Sequence, residues 1–145
     1  VSAFSLAELT RRTAPIMNDN GSIITMSFDG SVKVYPNYNV MGVAKAALET
    51  SIKYLAVDLG DKKIRVNGIS LGPMRTLSGA AIKDSRYIYN WTEKNNPLGK
   101  KIDFNDLSGA SNYLLSNQSS GVTGEIHYVD AGYNVIGMIK PPKKA

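Results

Sequence analysis

Two short apolar runs, Ser22–Phe28 (SIITMSF) and Ile64–Ser70 (IRVNGIS), constrain this chain more than any other feature. Each is rich in β-branched residues, carries few charges and is bounded by turn residues. Asn18 to Gly21 precede the first, and Gly72-Pro73 break the second. Such runs fit strands buried on both faces, as in a parallel sheet. A parallel pair needs a crossover, and the segment between them supplies one. Tyr38–Leu59 places Val40, Val43, Ala44, Ala47, Leu48, Ser51, Leu55 and Leu59 at helical spacing, and Gly60 is positioned to stop it. A third run, Glu125–Val129 (EIHYV), reads as a final strand ending at Asp130-Ala131-Gly132.

The remaining segments fill in the order. Ser2–Ala14 reads as a helix with Phe4, Ala7, Leu9 and Thr13 towards one face, and Pro15 discourages its continuation. Arg75–Thr92 has no clean period and reads as one or two short mobile helices. Asp103 caps a helix running to Leu115, with Asp106 in the capping-box position. The resulting order is helix, strand, helix, strand, helical insert, helix, strand, which is α/β alternation.

Composition narrows the chemistry. The 145 residues suffice for one domain with a real core. There is no cysteine and one histidine, which removes disulfides, thiolate nucleophiles and multi-histidine sites, so no metal is expected. No run approaches the length of a membrane helix. The net charge is +5, but the basic residues are scattered without a finger or recognition-helix pattern, so nucleic acid is not an expected partner. His127, in a strand pattern, reads as structural or interfacial, and Asp130 as a turn or interface residue.

One constellation carries chemistry. Tyr38 and Lys45 stand seven residues apart, almost two helical turns, so they share a face about 10 Å apart along the axis. A lysine near a phenol favours the phenolate and lowers the tyrosine pKa, which suits proton donation or oxyanion stabilisation. That spacing alone is weak, since both residues are common on helix surfaces. Its context is stronger, because ligands of open α/β sheets gather beyond the carboxyl ends of the strands. Both Ser22–Phe28 and Ile64–Ser70 would open onto that edge beside Tyr38.

The segments Gly21–Thr25, Pro36–Glu49, Ile64–Ser70, Gly72–Leu77 and Gly121–Glu125 resemble the NADH-dependent enoyl-[acyl-carrier-protein] reductases, a branch of the short-chain dehydrogenase/reductase superfamily, over nearly the whole chain. The resemblance implies the C-terminal part of a Rossmann-like doubly wound parallel sheet. Residues 1–139 would be part of one domain, with a substrate lid over about 76–95 and a flexible tail over 140–145. Tyr38 would hydrogen-bond the substrate thioester carbonyl and Lys45 the nicotinamide ribose. Thr25, Met26, Gly72, Pro73, Met74 and Thr76 would border the NAD cofactor. Phe28, Met41, Ile82 and Ser85 would line the substrate site with Tyr38. The implied partners are an acyl carrier protein, met by Lys83, Arg86 and Lys94 unless these are merely solvated, and further copies of the chain. A homotetramer would pack the Tyr38–Leu59 helix and the Glu125–Tyr133 end between subunits. The implied setting is the cytoplasm, or a plastid stroma.

The chain also departs from that family. Phe28 stands where a second active-site tyrosine is usual, Ser85 where phenylalanine is common, and Leu71 where alanine is usual. The glycine-rich phosphate loop and the first strands are absent, so a missing N-terminal segment is expected to supply them. Tyr87, Tyr89 and Trp91 read equally as packing residues or as the lining of an acyl groove. The alternatives are another short-chain reductase, such as one acting on 3-oxoacyl thioesters, and an inactive fragment or binding module.

Overall fold

The computed structural model describes residues 2–80, 82–139 and 141. Three strands, β1 (Ser22–Ser27), β2 (Arg65–Leu71) and β3 (Ile126–Val129), form one parallel sheet in the order β1-β2-β3. Ser22 pairs with Arg65 and Ser27 with Ser70, while Gly68 pairs with Ile126 and Ser70 with Tyr128. Every residue of β2 except Leu71 is buried, the polar Arg65, Asn67 and Ser70 included, as befits the central strand of a sheet covered on both faces. Among the described residues the α-helices are α1 (Ser2–Thr13), α2 (Asn39–Asp58), α3 (Leu77–Ala80), α4 (Ser85–Asn95) and α5 (Phe104–Leu115).

The pleat sends alternate side chains to opposite faces. Ile23 and Val66 face α2 and join Leu6, Leu48, Ile52 and Ala56 in the main core cluster. Leu48 and Ile52 are 1% and 0% exposed, each contributing roughly 1.5–3 kcal/mol of burial. On the other face, the Ser22 hydroxyl donates to the Leu114 carbonyl of α5 at 2.8 Å. The Asn67 amide donates to the Val122 carbonyl at 2.9 Å and its oxygen accepts from the Glu125 N–H at 3.0 Å. Helices on both faces are the doubly wound arrangement. The α5 capping box forms as expected: Asp103 accepts from the Asn105 and Asp106 N–H groups, and Asp106 accepts from the Asp103 N–H.

Two helix expectations need correction. In α1, Phe4, Ala7, Leu9 and Thr13 are exposed, whereas Leu6 and Thr10 are buried with Ala3 beside them. Apolar residues surround this helix, so its inward face is chosen by the partner α2 rather than by its own pattern. In α2, Leu48, Glu49, Ile52 and Ala56 are the buried residues, while Val40, Val43 and Ala47 stay exposed. Gly60 opens a 3-10 turn, and the left-handed residue that redirects the chain is Lys63 (φ 55°). The Arg75–Thr92 insert resolves into α3 and α4, separated by the left-handed Asp84 (φ 61°), with α4 continuing to Asn95. The expected tail over 140–145 lies, Pro141 apart, outside the described residues.

Candidate active site at the carboxyl edge of the sheet

Parallel register brings Phe28, Gly72 and Asp130 out at one edge, each just beyond its strand. Tyr38 opens α2 as its N-cap residue, and its ring is buried at 7% exposure. Phe28 packs edge-on against it with ring centroids 4.9 Å apart, and against Tyr35 at 4.7 Å. Ile82 and Ile88 from the insert complete this cluster with Tyr133. Thus Phe28, Tyr38 and Ile82 of the expected substrate residues meet. Met41 is exposed on the first turn of α2. Ser85 opens α4, where its N–H donates to the Ile82 carbonyl at 3.1 Å.

Lys45 is half-buried, and its ammonium donates to the Met26 carbonyl near the end of β1 at 2.7 Å. That bond uses one of its three N–H donors, and the acceptor is a backbone carbonyl rather than the phenol of Tyr38. Burial pulls the Lys45 pKa down, and the nearby Glu49 carboxylate partly opposes this. Tyr38 does not show the expected lowering. Burial instead pushes its phenol above the ordinary value, because the ring sits among apolar groups. Its hydroxyl has no hydrogen-bond partner among the described residues. Tyr38 is therefore held neutral, as a donor.

The second strand leads to the other expected residues. Gly72 is buried, and its N–H donates to the Val129 carbonyl at 2.8 Å. A Cβ there would meet Asp130 Cα and Ile102 Cγ1 at 3.1 Å, so a side chain at this position would press the two strand ends apart. Pro73 and Met74 are partly buried, as is Thr25. Thr76 is exposed, and its hydroxyl accepts from the Gly79 N–H at 3.0 Å to start α3. The Ser70 hydroxyl is buried with no hydrogen-bond partner among the described residues.

The insert closes a cleft of about 230 Å³ whose lining includes Tyr35, Pro36, Tyr87, Ile88, Trp91 and Tyr133. Tyr87 and Trp91 lie one helical turn apart and stack at 5.8 Å on the cleft side. Tyr89 faces the other way, between Arg75 at 5.0 Å and Lys101 at 5.7 Å. The alternation read from sequence separates here because the segment is a helix. Lys83, Arg86 and Lys94 are exposed. Asp130 is a turn organiser, accepting from the N–H groups of Gly132 and Asn134 at 2.9 and 2.7 Å. His127 lies 6.4 Å from the Tyr113 ring and takes a packing role.

Sequence reasoning missed a buried polar layer beneath these residues. Glu49 and Asp29 are 8% and 4% exposed. Asp29 accepts from the Tyr35 hydroxyl at 3.1 Å and pairs with Lys33 at 3.2 Å. Lys33 also donates to the Asn134 carbonyl at 2.5 Å, tying the loop after β1 to the turn after β3. The available signal was a carboxylate four residues beyond Lys45, inside an otherwise small and apolar helix face. Among the described residues no group of acidic or histidine side chains could hold a metal, and no helix is long and apolar enough to cross a membrane.

Residues 1–134 match the family described as enoyl-(acyl carrier protein) reductase. The chain is 53% identical over 138 residues to enoyl-[acyl-carrier-protein] reductase [NADH] 2 of Rhizobium meliloti (strain 1021), a match covering 95% of this chain and 52% of that protein. It is 54% identical over 140 residues to the NADH enoyl-[acyl-carrier-protein] reductase FabI of Rickettsia bellii (strain RML369-C), covering 97% and 53%. The crystal structure of FabI from Candidatus Liberibacter asiaticus superposes with a TM-score of 0.93 at 51% identity, covering 97% of this chain and 54% of that one. The enoyl-(acyl-carrier-protein) reductase of Anaplasma phagocytophilum, solved in complex with NAD, gives 0.91 at 50% identity, covering 97% and 53%. The chain thus spans about half the length of the curated relatives it matches.

Proposed function

The chain belongs to the enoyl-(acyl carrier protein) reductase family, and we propose that, joined to the segment its relatives carry beyond it, it reduces the trans-2 double bond of enoyl thioesters with NADH. The observation that carries this reading is Tyr38: a buried ring beside Phe28, raised in pKa, with an uncommitted hydroxyl at the ligand-binding edge of the sheet. Such a phenol stays protonated at neutral pH. It donates to the thioester carbonyl, where negative charge develops as the β-carbon is reduced. Phe28 cannot donate, and the Tyr35 hydroxyl is committed to Asp29. Of the two phenols packed against Phe28, Tyr38 therefore carries the uncommitted donor.

The donor set fits the nicotinamide and ribose end of NADH. A half-buried ammonium on Lys45 suits ribose hydroxyls, and Thr76 offers a hydroxyl beyond the Gly72-Pro73 turn. Thr25, Met26 and Met74 would wall that end. Bound NADH supplies the hydride, while the chain orients substrate and stabilises charge. The pyrophosphate cradle belongs, in this reading, to the adjoining segment. Ile82, Ile88 and the Tyr87–Trp91 face would meet the acyl chain, Met41 and Ser85 would border the site, and Lys83, Arg86 and Lys94 would meet the acidic acyl carrier protein.

The same reading includes a homotetramer in a cytoplasmic setting, or a plastid stroma. The support for association between copies is the apolar face left exposed on α2 by Val40, Val43, Tyr54 and Val57. The test joins this chain to the uncovered half of the Rhizobium relative and follows NADH oxidation with a trans-2-enoyl thioester. Tyr38→Phe should lower kcat about 10²–10³-fold, with an unchanged melting temperature. Undiminished turnover would remove Tyr38 from its role, and a preference for 3-oxoacyl thioesters would replace the substrate class.

A further inference from the structure

Glu49 occupies a position that packing alone does not explain. It is 8% exposed, yet it carries a carboxylate in the stretch of α2 that contributes Leu48 and Ile52 to the core. One of its oxygens, Oε1, accepts from two hydroxyls on two other elements. Ser27, the last residue of β1, donates at 2.5 Å, and Ser31, in the 3-10 turn Asp29–Ser31, donates at 2.7 Å. These serines flank Phe28. One helical turn earlier on α2 stands Lys45, whose ammonium is bound to the Met26 carbonyl immediately before Ser27. On the opposite side of the turn, the Gly30 carbonyl lies against Gly42 so closely that a Cβ there would approach it to 2.7 Å. The turn is thus pressed onto α2 at Gly42 and pinned to it at Glu49.

We propose that Glu49 is a positioning residue, whose carboxylate couples the Phe28 wall of the site to the Lys45 ammonium by pinning Ser27 and Ser31 onto α2. The role of Lys45 in this coupling rests on the enoyl reductase reading above; the pin itself does not. The groups that bear on the pair come from every surrounding element. Lys45 meets Met26 from β1, while Tyr38 and Glu49 share its helix. Glu49 meets Ser27 from β1 and Ser31 from the turn, and it also acts on Tyr128 of β3, which Asp29 and Asp130 influence too. Within this set Glu49 is the anionic group that offsets the burial of Lys45. Its charge therefore favours the ammonium while its oxygen holds the loop.

The test uses the completed polypeptide with 13Cε-labelled lysine, the Lys45 resonance being assigned by its loss in Lys45→Met. Glu49→Gln keeps a carbonyl for the two serines but removes the charge. It should lower the Lys45 titration midpoint by about one pH unit, the scale for a charge one helical turn away in a half-buried setting. An unmoved midpoint in folded protein overturns the coupling. The double variant Ser27→Ala/Ser31→Ala keeps the charge and removes the pin. Amide exchange at Ser31, Val32 and Lys33 should then accelerate at least about tenfold, as expected where local opening becomes easier. Unchanged exchange overturns the pin and with it the proposal, even if Glu49→Gln does not fold. Neither readout needs turnover, so failure of the wild-type polypeptide to reduce an enoyl thioester would defeat the functional reading separately.

Discussion

Two glycines inside helices should respond to the same substitution with opposite signs. Alanine normally gains about 0.5–1 kcal/mol over glycine in a helix interior, because glycine loses more backbone freedom on folding. Gly109 lies in α5, exposed, with nothing within 4 Å of an added Cβ, so Gly109→Ala should realise that gain. Gly42 lies in α2, where an added Cβ would stand 2.7 Å from the Gly30 carbonyl oxygen; ordinary contact begins at 3.4 Å. The backbone must open by about 0.7 Å, the difference between those distances. The turn is held there by Ser31 on Glu49 and by Asp29 on Tyr35, so it cannot yield freely. Overpacking of this kind costs about 1–3 kcal/mol, which exceeds the propensity gain. Gly42→Ala should therefore destabilise by about 1–2 kcal/mol, leaving the variants roughly 2 kcal/mol apart. Thermal and denaturant unfolding of the completed polypeptide, followed by circular dichroism, would read this as about 4–8 °C between melting points. Equal stabilisation by both substitutions would refute the claim that the turn is pressed and pinned on α2.

Arg65 is buried and donates to the Ser119 hydroxyl at 2.8 Å and to the Ser116 and Val122 carbonyls at 3.1 and 3.3 Å. Arg65→Ala strands those acceptors and should cost about 2–4 kcal/mol, read as a lower denaturation midpoint; a loss below about 1 kcal/mol would mean that water replaces the guanidinium. Burial, followed by the Asp29 carboxylate, pushes the Tyr35 phenol well above its ordinary value of 10.0. A folded pKa above the unfolded one means stability that is intact below about pH 10 and lost as pH climbs beyond it. Unfolding midpoints between pH 9 and 12 should fall less steeply in Tyr35→Phe, and parallel slopes would contradict the burial of a neutral phenol.

The strands were legible because their burial is written into their composition. SIITMSF and IRVNGIS became β1 and β2 with ends displaced by one residue, since no helix of that length fits between their turn residues. The Asp103 cap was legible for a similar reason, as both partners of a capping box lie within four residues. The inward face of α1 was not, because Phe4, Leu6 and Leu9 are equally apolar and only contact with α2 selects Leu6. At the site, Tyr38 and Lys45 could be placed on one helix, but not the destination of the Lys45 ammonium, which is a carbonyl nineteen residues away in sequence. Asp29, Tyr35 and Glu49 escaped notice altogether. Glu49 finds its partners on other elements, and the apolar helix face around it was the one sign in sequence that its carboxylate is buried.

The connection from β2 to β3 holds everything from Gly72 to Glu125, including the Tyr87–Trp91 side of the cleft, whereas the connection from β1 to β2 carries the Asp29–Ser31 turn, Tyr35 and α2. The cost of closing a flexible connection rises only with the logarithm of its length, about 0.6 kcal/mol per doubling. Residues can therefore be added or removed around α3 and α4 with little thermodynamic resistance, while the strand register stays fixed by β2. The fold separates what must be conserved in geometry from what is free to vary: a descendant chain could be refitted to longer or bulkier acyl groups by editing one connection, leaving the tyrosine and lysine where they are.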